Sequence, residues 1–174
     1  MTLVAIRKQT FVSLDDERLG WACMEPTFSR IRGKETSIKT AAISQLTQGQ
    51  QALCMFRVMY DHAKNSSSEY YAWISYLLDK PSYWNGVTGG LRFFGDAPML
   101  ELLKDTEKVL KARNDKLGLQ WSDAAFNDLG HDDVLLSTVN LLFERFLLIA
   151  PNSLKLISTY IRSNPQQFVE IENE

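Results

Sequence analysis

Two histidines and two cysteines bound the chemistry open to this chain of 174 residues. His62 lies in YDHAKN at the end of a helical pattern, and His131 directly precedes Asp132 and Asp133. A transition-metal site wants three or four converging ligands, usually at spacings such as H-E-x-x-H or C-x-x-C, and the sequence has neither. No metal and no cofactor is therefore expected, with His62 at a helix end and His131 in a cap or on the surface. Cys23 and Cys54 each sit in an apolar helical pattern, as reduced, buried thiols do. A Cys54–His62 nucleophile and base pair fails on distance: eight residues along one helix is about 12 Å, against a contact of about 3 Å.

Other groups could bind rather than react. Gly86, Gly89, Gly90 and Gly95 crowd one stretch, SYWNGVTGGLRFFG, without the G-x-G-x-x-G or G-K-[ST] pattern of a phosphate cradle, so close helix packing is the favoured explanation. Arg30, Arg32 and Lys34 surround Gly33 and could touch phosphate, but they fit a solvated loop better. Between Asp115 and Asp133 five aspartates, Asp115, Asp123, Asp128, Asp132 and Asp133, face Lys116 alone. Their ordinary use is in caps and loop solvation; their sharper use is an acidic patch for a basic partner. A candidate ligand site gathers around Asp61, His62, Asn65, Glu69, Tyr70 and Tyr71.

The elements that must position these groups are helices. Val134–Ala150, VLLSTVNLLFERFLLIA, is apolar at twelve of its seventeen positions, with Ser137, Asn140 and Glu144 drawing a thin polar stripe, which predicts a buried central helix over about 133–150, ended by Pro151. A membrane span is disfavoured, because Glu144 and Arg145 near its middle would cost roughly 2.5–3.5 kcal/mol each. Around it the pattern predicts an all-α single-domain bundle of about six to eight helices. A helix opens at Ser13, kinked or split at Pro26, and a short weakly periodic one spans Glu35 to Leu46. Thr47 and Gln50 form a capping box, Ser67 or Ser68 caps the next helix and Pro81 stops it. Asp96 caps a helix from Ala97 to Asn114, and Asp132 or Asp133 opens the central one. Residues 1–12 are expected as an extended lead-in and 170–174 as an acidic tail.

Hydrophobic residues make up 45% and charged residues 23%, with a net charge of −2, so the chain can bury a core but is no basic nucleic-acid arm. The start, MTLVAIRKQTF, lacks the long apolar run of a signal peptide, which points to the cytoplasm.

Three segments carry a family resemblance: LTQGQQALCMFRVMYDHAKN, GGLRFFGDAPMLELLKDTEKVL and FERFLLIAPNSLKLISTYIRSNPQQF. Over about residues 44–169 the chain resembles a bacterial family of small helical proteins, a domain of unknown function that includes DNA-mimic proteins. YIRSNPQQF, Tyr160 to Phe168, is the most specific piece, matching a tyrosine-led closing helix, a proline and a phenylalanine. Asn65 matches a family asparagine and Tyr70 or Tyr71 an aromatic, but the glycine pair the family places there is missing. The resemblance implies an all-helical fold, a homodimer, and binding to a DNA-binding regulator in place of DNA.

The expected function is that of a non-catalytic, cytoplasmic protein-binding module, partnered by a DNA-binding regulator at an acidic face, with no direct nucleic-acid or membrane contact. Duplex DNA carries a charge about every 1.7 Å of axis, so mimicry requires folding to gather the aspartates, with Glu170, Glu172 and Glu174, on one side. The alternative is a small-molecule-binding or hydrolytic protein, its site around Asp61, His62, Asn65 and Glu69.

Overall fold

The structure is a computed structural model that describes residues 3–172. Among them eight α-helices run α1 (Lys8–Ser13), α2 (Asp16–Ile31), α3 (Thr36–Ser44), α4 (Gln48–Ala63), α5 (Ser67–Leu78), α6 (Pro81–Phe94), α7 (Ala97–Leu117) and α8 (Asp133–Ser163). The all-helical bundle expected from periodicity is what forms.

The chain ends depart from expectation. β1 (Val4–Arg7) and β2 (Val169–Glu172) pair in parallel, Val4 opposite Val169 and Arg7 opposite Glu172. The lead-in is therefore a strand followed by α1, and the acidic tail is mostly a strand; Met1, Thr2, Asn173 and Glu174 lie outside the described residues. Both strands alternate one buried side with one wet side, and Ile6 and Val169 seal the core while Glu170 and Glu172 face water.

Most helix starts follow the predicted capping chemistry. Thr47 and Gln50 form the reciprocal box at α4, and Asp96 and Asp132 cap α7 and α8. Two caps shift by one or two residues: Asp15, not Ser13, accepts from Arg18 N–H to open α2, and Ser66 rather than Ser67 or Ser68 caps α5. Residues 119–131 fold as two single 3-10 turns.

Two prolines fail to break their helices. Pro151 lies inside α8, which continues to Ser163, and Pro26 lies inside α2. Both are exposed, so water can bond the carbonyl that each proline leaves without a donor. The resulting α8 is 31 residues, about 46 Å long.

This helix packs on α2, α5, α6 and α7, as a central strut should, but by one face. Val134, Leu141 and Leu148 are 79%, 64% and 81% exposed, so its wet side is broader and greasier than the Ser137, Asn140, Glu144 stripe predicts. By length and composition α8 could also cross a membrane. The helix enclosed around most of its circumference is α4, from Ala52 through Tyr60, sandwiched by α2, α5 and α6.

The contact of α4 with α6 explains two of the four clustered glycines; of the others, Gly95 ends α6 at φ +73° and a Cβ on Gly89 would meet nothing. A Cβ on Gly90 would stand 2.8 Å from the Ala52 carbonyl oxygen, and one on Gly86 would stand 3.0 Å from the Met55 side chain. Gly90 lets two backbones touch, the close packing favoured over a phosphate cradle.

Candidate ligand-binding site

Enclosing α4 leaves one charged side chain in an apolar sequence, LCMFRVMY, with nowhere to go but inward. Arg57 is 3% exposed. Its Nε and Nη2 donate to the two Asp61 oxygens at 2.9 and 2.5 Å, one helical turn on, and its Nη1 donates to the Glu17 carbonyl at 3.4 Å. The guanidinium also lies 5.4 Å from the Trp21 ring and 5.5 Å from that of Tyr60. Lys64 adds a second cation, 3.8 Å from Asp61 and bonded to the Glu17 carboxylate. Burial pushes the Asp61 carboxyl above its ordinary 3.8, against the pull of Arg57 and Lys64.

This pair lies on the wall of a cavity of about 450 Å³. From α2 come Trp21 and Phe28, with rings 5.8 Å apart, and Ile31. Across from them His62 stacks on Trp73 at 3.7 Å and 17°, Trp73 meets Tyr76 edge-on at 5.3 Å, and Tyr76 lies 6.3 Å from Tyr83. Met55, Val58 and, from α3, Ile43 complete the apolar lining. Arg32 and Lys39 stand on the short α2–α3 connection and on α3 itself. Gly33, at φ +70°, makes that turn, in a conformation side chains rarely adopt. A second hollow of about 480 Å³ between α3, α4 and α6 shares Ile43, Met55 and Tyr83 with the first.

Burial lowers the His62 pKa from 6.5, outweighing the opposite influence of Asp61 and Glu69, so at neutral pH the ring on Trp73 is uncharged.

Of the six residues expected at a ligand site, the fold brings two to the cavity, Asp61 and His62. Asn65 closes the α4–α5 corner, donating to the carbonyls of Asp61 and His62 and to Glu69. Tyr70 is fully buried with its hydroxyl 2.7 Å from that of Thr106, and Tyr71 donates to Asp128 at 2.9 Å. Both tyrosines face away from the lining because α5 presents Trp73 and Tyr76, three apart, to the cavity, while the Tyr70, Ile74, Leu77 side is core. Trp21, Phe28, Lys39, Arg57, Trp73, Tyr76 and Tyr83 went unpredicted; the signal for Arg57 was a lone cation in an apolar helix with a carboxylate four residues on.

Four of the five aspartates, Asp123, Asp128, Asp132 and Asp133, line an open recess with Arg113 and His131; Asp115 does not and pairs with Lys111. Three of these carboxylates have other work. Asp123 accepts from Gln120 N–H, and Asp128 accepts from Ala125 N–H and the Tyr71 hydroxyl. Asp132 caps α8 and accepts from Arg113 at 3.1 Å; the Leu135 amide and then Arg113 hold its carboxyl below the usual range. Among the described residues no group of three or more His, Cys, Asp or Glu side chains converges as a metal site would.

Comparison with known proteins adds no relative: no family model, no curated protein and no solved structure matches the chain.

Proposed function

We propose that this protein is a non-catalytic small-molecule-binding protein whose site is the aromatic cavity between α2, α3, α4 and α5. The observation that carries this is the convergence of Trp21, Phe28, Trp73, Tyr76 and Tyr83 on one half-open space with the Arg57–Asp61 pair in its wall. Apolar hollows of roughly 300–1,000 Å³ with a few convergent polar groups are where small ligands bind. Binding rather than reaction is favoured because the neutral His62 ring stacks on Trp73 and both thiols are buried, their pKa pushed up to about 12. The buried reduced thiols also fit the cytoplasm, which fractionation of native cells would test, since α8 recovered in the membrane fraction would refute it.

The test uses naphthylmethanol, a flat neutral probe, titrated into the full chain by calorimetry and saturation-transfer NMR. One saturable site is expected, blocked by Ile43→Trp, which fills the cavity from the loosely held α3. Non-saturable binding, or binding indifferent to Ile43→Trp in a variant that melts normally, would refute the site.

A protein partner is the second candidate, favoured by α8. Val134, Leu141 and Leu148 repeat at seven residues along its exposed face, the spacing of a helix-pairing seam. Sedimentation over a wide concentration range should show a dimer that Leu141→Glu dissolves; a monomer throughout would exclude a second copy. An acidic face for a DNA-binding regulator draws less support, because three of the four recess carboxylates, Asp123, Asp128 and Asp132, already accept from backbone amides, Tyr71 or Arg113. Such binding should weaken as screening shortens from about 10 Å at 0.1 M salt to 3 Å at 1 M.

A further inference from the structure

We infer that the cavity takes a planar aromatic acid, its ring among the aromatic walls and its anionic group at Arg32 and Lys39. This rests on the cavity being a ligand site and names the ligand's chemistry.

Charge decides the head group. The cavity is lined by three cations, Arg32, Lys39 and Arg57, and one carboxylate, Asp61. Arg57 is spent on Asp61, to which Nε and Nη2 are bonded, and its third nitrogen, Nη1, donates to the Glu17 carbonyl. Among the described residues neither Arg32 nor Lys39 forms an ion pair with a carboxylate. With His62 uncharged, two unneutralised cations face the space, and an anion entering it meets no opposing free carboxylate. Arg32 is exposed and Lys39 half-buried, so both sit at the edge toward water, where an anionic group keeps part of its hydration.

The walls decide the body. Trp21 and Phe28 on one side, and the run His62, Trp73, Tyr76, Tyr83 on the other, offer ring faces and edges rather than a smooth aliphatic tube. Aromatic pairs gain attraction beyond area burial when ring centroids come within about 4.5–7 Å. A flat ring exploits this and an acyl chain does not. Ile43 and Lys39 both belong to α3, which has no buried side chain, so the helix supplying half of the anion contact is also the wall freest to adjust on entry.

The experiment compares three probes on the full chain by calorimetry: naphthoate, its neutral counterpart naphthylmethanol, and decanoate, an anion with an aliphatic body. Naphthoate should bind at least about tenfold more tightly than either, a difference of about 1.4 kcal/mol. The double variant Arg32→Gln with Lys39→Gln should erase the preference for naphthoate over naphthylmethanol, leave the melting temperature unchanged, and abolish the salt dependence of naphthoate binding. Equal affinity for naphthoate and naphthylmethanol, or an unaltered preference in the double variant, would overturn the anion site while the cavity still binds ligand. Decanoate equal to naphthoate would overturn the aromatic body. Failure of all three probes would remove the ligand site itself, and this inference with it.

Discussion

The aromatic cavity and the acidic recess both gather charged residues, yet they spend them differently. In the recess, the carboxylates of Asp123, Asp128 and Asp132 are consumed by backbone amides, Tyr71 and Arg113, so the cluster holds two 3-10 turns and the start of α8 in place. In the cavity a single carboxylate is matched by Arg57, and the remaining cations, Arg32 and Lys39, stand without acidic partners among the described residues. A dense acidic run in a sequence can thus be structural, while a sparse set of charges among aromatics keeps unspent capacity for a ligand. The difference lies in how many backbone donors are near: loops and helix starts expose amides that claim carboxylates, and the middle of α4 exposes none.

The largest expected effect bears on the cavity. Arg57→Leu leaves Asp61 in a partly buried place without its main cation and should cost about 3 kcal/mol in urea denaturation. Adding Asp61→Leu should recover most of that loss; if the double variant is no better than the single one, the pair is not what the wall depends on. Next, Gly90→Ala forces a Cβ to within 2.8 Å of the Ala52 carbonyl and should cost about 1–3 kcal/mol by prising α6 from α4. A neutral outcome would mean that the two helices separate freely.

The recess should respond more mildly. Tyr71→Phe removes one hydrogen bond to Asp128, which water can replace, for about 1 kcal/mol. A loss as large as that of Arg57→Leu would make the recess the more critical region and reverse the comparison. Smallest is the pH response of His62. Its folded pKa is depressed below 6.5, so its contribution is fully present above 6.5 and is lost as pH falls through the lowered value. Asp61 runs the other way: with its pKa raised above 3.8, it favours the fold at low pH and that contribution is lost as pH rises through the raised value. Urea midpoints at pH 7.5 and 5.5 should therefore differ less in His62→Gln than in the parent chain; an identical difference would show that burial does not hold the ring neutral.

Much of this architecture was legible one helix at a time. The Thr47–Gln50 box and the Asp96 and Asp132 caps act within a few residues, so sequence alone exposes them. Gly90 was legible as a close approach, though not which backbone it meets. Pro151 misled because a proline's cost depends on whether water reaches the carbonyl it orphans, and exposure is a tertiary property. The 170–174 tail misled because Val169–Glu172 gains its partner from Val4–Arg7 at the far end of the chain.

For the site, the sequence by itself determined which groups were available: two histidines and two cysteines, aromatics spread from Trp21 to Tyr83, and a lone Arg57 with Asp61 one turn away. Local periodicity also determined that helices would carry them. Only the tertiary structure decided that α2, α5 and α6 close around α4, turning Trp73 and Tyr76 into the cavity and sending Tyr70 and Tyr71 elsewhere. The physical reason is range: caps and helix periods are settled by neighbours along the chain, whereas a cavity exists only where side chains of distant segments fail to fill the space between them.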